Sequence, residues 1–598
     1  MKYAGSMIAA SVFLSVFLSV FVQTPARAEQ WDTFYEQSGY TRTPSYDETV
    51  RYCRMLADAS PWVHYTTFGA SPQGRDLPLL VVNREGHFDP ELVRRGETAV
   101  FLIQAGIHAG EIDGKDAGLM LIRDLTIRRS LDKLLDHVTI LFIPILNVDG
   151  HERSGRYHRA NQNGPEEMGW RVTATNLNLN RDYLKADTPE IQAWVELYTR
   201  WMPEFFADCH VTDGADYQYV VTWAIDIWGN MDPGLTRWVR ESYLPPLATH
   251  MDDAGIPFGM FNWYRDEYDP RSGIVTWASS PRYATGYTTV QNRPGLLVET
   301  HMLKDYRTRV SGTYELLHAT LEILDKEYAA LRSLCQQADR HAASPSFRAK
   351  PFALDYDASP DSVFTEFLGF EYDVVKSDLT GGDWLRFSER PMSIQIPFFD
   401  KQIPTVIVTL PEAYILGPEW WDVIARLELH GVRMERLTEE VRLEVETIRF
   451  ENAAWEMVPY EGRHPVTFES HTSLEERTFP KGSVVIDMNQ RAARVAAHIL
   501  EPDGPDSYVY WGFFDAIFEQ KEYIESYVIE KIAREMLAAD PALRQEFEDK
   551  KRSDAEFAGD PEKIRDWFYR RTPWWDDAMN RYPVGRITDA DVLRRLPR

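Results

Sequence analysis

His108-Ala109-Gly110-Glu111 places an imidazole and a carboxylate three residues apart, just after an apolar run that ends near Ala105-Gly106. A tight turn at that spacing brings both side chains to one point, where a zinc ion can take a nitrogen and an oxygen. Alone the pair is a weak signal, because a chain with 15 His produces such spacing by chance. A third donor strengthens it: His210 follows Phe205-Phe206-Ala207-Asp208, an expected strand, and a His at a strand's carboxyl end faces the crevice where open α/β sheets bind ligands. Two His and one Glu leave a coordination position for water, the donor set of a catalytic rather than a structural zinc. Hydrolysis by an activated water also needs a base. Glu299 ends the apolar run Gly295-Leu296-Leu297-Val298, and a carboxylate there is costly unless paired or functional. Asn180-Arg181 offers a planar fork that can bind a carboxylate bidentately, and Arg171 can polarise a carbonyl and stabilise the oxyanion that develops on it.

In this order, His108 and Glu111, Asn180 and Arg181, His210 and Glu299 resemble the zinc carboxypeptidases of the carboxypeptidase A type. Their pattern runs H-x-x-E, an N-R pair, a single zinc His and a catalytic Glu. Gly74-Arg75 and Asn147-Val148-Asp149-Gly150 stand at family-like places, and the resemblance covers about residues 41 to 335. It implies one Zn2+ held by His108, Glu111 and His210, with Glu299 as general base and acid, Arg171 as electrophile, and Asn180 and Arg181 gripping the terminal carboxylate of a peptide. The implied activity is that of a zinc metallocarboxypeptidase, a hydrolase acting on peptides with a free C-terminal carboxylate. Two rivals share the residues: a zinc amidohydrolase of peptidoglycan or other acyl amides, and a noncatalytic zinc-retaining binding protein. An intact Glu299 and Arg171 weigh against the second.

Two departures stand out. Asn178 occupies the place where many members carry an Asp that orients a zinc His, and an amide oxygen accepts the same hydrogen bond while raising the ligand's basicity less. None of Tyr264, Tyr268, Tyr283 and Tyr287 stands at the spacing of the family's mobile active-site Tyr, so that role is left unassigned.

The elements that must position these groups read as a mixed, largely parallel sheet flanked by helices. Ala99 to Ile103, Val138 to Leu146 and Leu296 to Val298 are buried-type strands; Gly114 to Arg128 and Thr313 to Leu334 have helical apolar spacing. Ala342 to Asp361 reads as a loop. Beyond it the texture becomes that of an additional C-terminal α/β region, with a strand at Val441 to Phe450, a helix at Pro418 to His430 and a helical tail from Tyr510 to Leu537. The domain expectation is a signal peptide over 1–28, a catalytic domain over 29–340 and an accessory region of unknown role over 341–598.

Lys2, the apolar run Met7 to Val22 and Ala26-Arg27-Ala28 form the pattern of a secretory signal, which implies a secreted or periplasmic chain without stable membrane insertion. The formal net charge of −27 repels polyanions, so nucleic acid is not an expected partner. Cys53, Cys209 and Cys335 are too few and too scattered for a disulfide framework, which leaves His and carboxylates as the metal donors. Terminal-residue preference and oligomeric state are not encoded in any motif.

Overall fold

A computed structural model describes residues 31–261 and 263–598; the signal peptide expected over 1–28 lies outside the described residues. The first half builds β1 (Val63–Ala70), β2 (Asp76–Val82), β3 (Ala99–Ala105), β4 (Val138–Ile143), β5 (Phe205–Thr212), β6 (Val221–Ile225), β7 (Phe258–Met260), β8 (Trp263–Tyr264), β9 (Ile274–Val275) and β10 (Gly295–His301). Eight of them form one sheet in the order β1-β2-β4-β3-β5-β10-β6-β7. The centre, β4-β3-β5-β10, is parallel, and antiparallel pairs flank it. β3, β4 and β5 are buried along their whole length, the reason their sequences run apolar without alternation: helices cover both faces. Parallel pairing aligns the carboxyl ends of the central strands, and the register sets His210 of β5 directly beside Glu299 of β10.

The helices that cover the sheet carry strong start signals. Tyr46–Ala59 begins with a Ser45/Glu48 capping box, and Asp305 caps the 37-residue helix Tyr306–Ala342, which packs on helix Asp113–Arg123. The expected long helix is therefore a single one, longer at both ends than Thr313 to Leu334. The expected helix at Gly114 ends its α-geometry at Arg123 and continues to Arg128 with wider turns. Gly114 lets this helix approach β5 closely, since a Cβ there would sit 2.3 Å from Cys209 Cβ. All three Cys are buried and unpaired.

The second half adds β11 (Phe352–Ala358), β12 (Val363–Lys376), β13 (Asp383–Phe399), β14 (Gln402–Val408), β15 (Ala413–Leu416), β16 (Glu435–Arg436), β17 (Val441–Trp455), β18 (Val466–Phe479), β19 (Val484–Asp487) and β20 (Gly585–Ile587). Six form a sheet in the order β16-β19-β15-β20-β17-β18. The β12-β13 hairpin reaches back to the first half, with Phe398 and Phe399 pairing with Ile274 and Val275 of β9. One apolar cluster also spans both halves, joining Trp194, Tyr198 and Tyr287 to Tyr414, Ile424, Val484 and Tyr508.

Two expectations are corrected here. Ala342 to Asp361 is not one loop, because Pro345–Arg348 is a helical turn and β11 pairs with β14, a partner too far along the chain for local pattern to reveal. The tail from Tyr510 is helical only from Ser526, apart from a single tight turn at Asp515–Phe518; Trp511 and Phe514 are drawn into the core around Gly512, which turns at φ +75°.

Candidate metal and catalytic site

β3 ends at Ala105, and the chain turns through His108-Ala109-Gly110-Glu111 before helix Asp113–Arg123. The Glu111 N–H donates to the His108 carbonyl at 2.8 Å and closes the turn. Three donor atoms converge: His108 Nδ1 lies 3.1 Å from Glu111 Oε2 and 3.2 Å from His210 Nδ1, and His210 Nδ1 lies 3.1 Å from Glu111 Oε2. The edge of a tetrahedron with bonds near 2.0 Å is about 3.3 Å, so this triangle has the dimensions of one face of a zinc site.

The outer nitrogens fix the tautomers. His108 Nε2–H donates to Asn178 Oδ1 at 3.1 Å, and the same oxygen accepts Asn180 N–H at 3.0 Å, which identifies the oxygen end of the amide as the one facing the imidazole. His210 Nε2–H donates to Asp208 Oδ2 at 2.7 Å, and Gln104 Nε2 holds the other Asp208 oxygen at 2.7 Å. Both Nδ1 lone pairs then face one point. Burial pushes His108 down to about 4, which keeps its lone pair available to a metal. Burial acts to raise Glu111, but the His108 and Arg159 charges and both imidazole hydrogen bonds outweigh it and hold the carboxyl well below its usual range. For His210, burial is outweighed by the Asp208 carboxylate, and its pKa is raised. Donor types and spacing fit zinc, and a bound cation would take the place of the proton that the Asp208 and Glu111 carboxylates favour on His210.

Around the triad lies a cavity of ≈ 450 Å³, and His108, Glu111, Arg171, Asn180, Arg181, His210 and Glu299 all line it. Glu299 is buried with no protein partner for Oε2, and burial pushes its pKa up to about 8. Arg171 Nη1 donates to Glu111 Oε1 at 3.0 Å. Asn180 Oδ1 accepts Ala284 N–H at 3.0 Å, which leaves its amide N–H groups as the end able to donate to a carboxylate. The Arg181 guanidinium lies 4.5 Å over the Tyr283 ring. Of the four tyrosines considered, Tyr283 lines the cavity, Tyr287 is buried against His430, Tyr264 packs on Phe367 and Tyr268 is exposed. Phe261, Trp263 and Trp277 form an aromatic wall.

Sequence reasoning missed three contributors. Arg159 Nη2 donates to Glu111 Oε1 at 2.7 Å from a segment without regular pattern. Asp208 was detectable, since residues i and i+2 of a strand share a face and an acid two before His210 points the same way. Glu461 was not: its Oε2 accepts Asn178 N–H at 2.9 Å from 283 residues away.

Residues 49–217 match the sequence model of the family described as zinc carboxypeptidase. Carboxypeptidase 2 of Trichophyton rubrum is 24% identical over 499 residues, covering 79% of this chain and 84% of the relative; the probable carboxypeptidase 2 of Trichophyton verrucosum is 24% identical over 491 residues, covering 77% and 86%. Among solved structures, a metallo-carboxypeptidase from Burkholderia cenocepacia matches at 18% identity and TM-score 0.36, covering 47% of this chain and 70% of that one. The carboxypeptidase A of Helicoverpa armigera matches at 17% identity and TM-score 0.36, covering 51% and 81%.

Proposed function

We propose, from the premise that residues 49–217 are a zinc carboxypeptidase domain and the chain a peptidase hydrolase, that this protein is an exported zinc metallocarboxypeptidase that removes C-terminal residues from peptides. The observation that carries the reading is the convergence of His108, Glu111 and His210 donor atoms at 3.1 to 3.2 Å beside the buried Glu299 carboxyl, whose Oε2 has no protein partner. His108, Glu111 and His210 would hold one Zn2+, which when bound supplies Lewis acidity that acidifies a water and polarises a carbonyl.

The chain's own residues supply the rest. Asn180 and Arg181 bind the terminal carboxylate of the peptide, with Tyr283 stacked on the guanidinium to hold its plane. Glu299 takes the proton of the attacking water at its carboxylate and passes it to the departing amine nitrogen. Arg171 exchanges its contact with Glu111 for the carbonyl oxygen and stabilises the charge that develops there. Export rests on the signal pattern of residues 1–28, and places the activity outside the cytoplasm.

The test is mass spectrometry of a mixed peptide library incubated with the mature chain, with and without a zinc chelator. Ladders shortened from the C-terminus and abolished by the chelator are expected; intact peptides over a zinc-loaded protein overturn the reading. Glu299→Gln is expected to retain the metal and to lose about 10²- to 10⁴-fold in turnover, and an unchanged rate removes Glu299 from the base role.

A further inference from the structure

A second cluster of metal donors lies apart from the cavity, where helix Leu244–Asp253 crosses the long helix Tyr306–Ala342. His250 stands in the last turn of the shorter helix, while Glu315, His318 and Glu322 follow one another at i, i+3 and i+7 on one face of the longer one. Glu315 Oε2 lies 3.2 Å from His250 Nε2 and 3.5 Å from His318 Nδ1. All three donor atoms fall within 4.8 Å of one another. Glu322 takes the opposite nitrogen of each imidazole, His250 Nδ1 at 3.1 Å and His318 Nε2 at 3.5 Å.

We propose that His250, His318 and Glu315 bind a divalent first-row transition metal, zinc foremost, with Glu322 orienting both imidazoles. The arrangement repeats that of the cavity triad: two imidazole nitrogens and one carboxylate oxygen converge, and acceptors hold the outer nitrogens. Charge favours it as well. The cluster holds two carboxylates, and among the described residues neither has an Arg or Lys ion-pair partner, so with neutral imidazoles it carries two uncompensated negative charges.

The supporting frame is rigid. Leu247 and Met251 of the short helix share a buried cluster with Leu316 and Ala319 of the long one, and the Tyr243 and Thr320 hydroxyls are 2.9 Å apart. The side chains of the site are 16 to 46% exposed, open enough for an ion to enter from solvent. The donor triangle is wider than in the cavity, and small ring rotations of these half-buried side chains would close it. A metal here clips two helices outside the sheet, a structural role independent of the proposed peptidase activity.

The experiment measures zinc per chain on the full mature protein, stripped with chelator, reloaded with Zn2+ and dialysed against micromolar Zn2+. Two ions are expected in the wild type, one in His250→Gln/His318→Gln with peptidase activity unchanged, and one in His108→Gln. A wild type that retains a single ion, or a double variant that still retains two, overturns the proposal. Should the double variant fail to fold, His108→Gln loaded with Co2+ isolates the second site. The d–d absorption of a nitrogen-ligated ion saturating at one equivalent, with a rise in melting temperature, is expected there; a spectrum of aqueous Co2+ alone overturns it.

Discussion

Asn178 carries two donors on one oxygen, His108 Nε2–H and Asn180 N–H, and so ties a proposed metal ligand to the backbone that presents the proposed carboxylate-binding pair. A neutral amide orients the imidazole but adds no charge to strengthen it. Asn178→Ala removes the orienting acceptor and is expected to weaken zinc binding by about 10- to 100-fold. Asn178→Asp is expected to tighten it, because a carboxylate raises the basicity of the ligand. Competition with a chelator of known affinity measures both, and equal dissociation constants across the three proteins would show that the outer nitrogen of His108 does not tune the site. At this scale the sequence was most informative. Side-chain types and spacing pointed to His108, Glu111 and His210, whose donor atoms the structure brings together, whereas Arg159 gave no signal because its contact depends only on where an irregular segment passes.

Helix Pro189–Trp201 starts with Thr188 as cap and Pro189 in its first turn, and it buries Glu190 with no protein partner for either oxygen. Burial, with Asp149 and Asp182 adding repulsion, pushes that carboxyl up to about 7 from its ordinary 4.5. The sign follows from proton binding. Between these two values the unfolded chain has released a proton that the folded chain keeps, so stability falls as pH rises through the window and the penalty is constant above it. Glu190→Gln is therefore expected to raise the melting temperature by a few degrees at pH 8 and to leave it unchanged at pH 4, as read by scanning calorimetry. A shift of equal size at both pH values would mean that packing, not ionisation, sets the cost. The central strands and the helix at Gly114 were legible because apolar runs and their spacing are local; β11 was not, because its pairing with β14 is decided by the tertiary fold.

Across the whole molecule, the second half grips the segments that form the cavity. Glu461 holds Asn178, Arg463 donates to both oxygens of Asp187 at 2.7 Å each, and Asp506 pairs with Arg282, the residue before Tyr283. Strand β13 of the β12-β13 hairpin pairs in parallel with β9, the strand that leads to Trp277. Residues 341–598 thus act, in our proposal, as the outer support of the site rather than as an independent module. Glu461→Ala, remote in sequence from every proposed ligand, is expected to lower zinc retention several-fold in the same chelator competition while the chain stays folded by circular dichroism. Unaltered retention would confine the second half to stability alone.

What the sequence determined by itself is the set of groups behind the proposed chemistry and their framework: the donor types, their order along the chain, the acid at the end of a buried strand, and the apolar runs that must become the central sheet. These are local properties, set by side-chain type and by spacing within an element. Only the tertiary structure decided that Glu299 stands in register beside His210, that Arg159 and Arg171 share one oxygen of Glu111, and that Glu461 reaches the site. Each of those contacts joins segments from tens to nearly three hundred residues apart, and the packing energy that selects them is not written in any window of neighbouring residues.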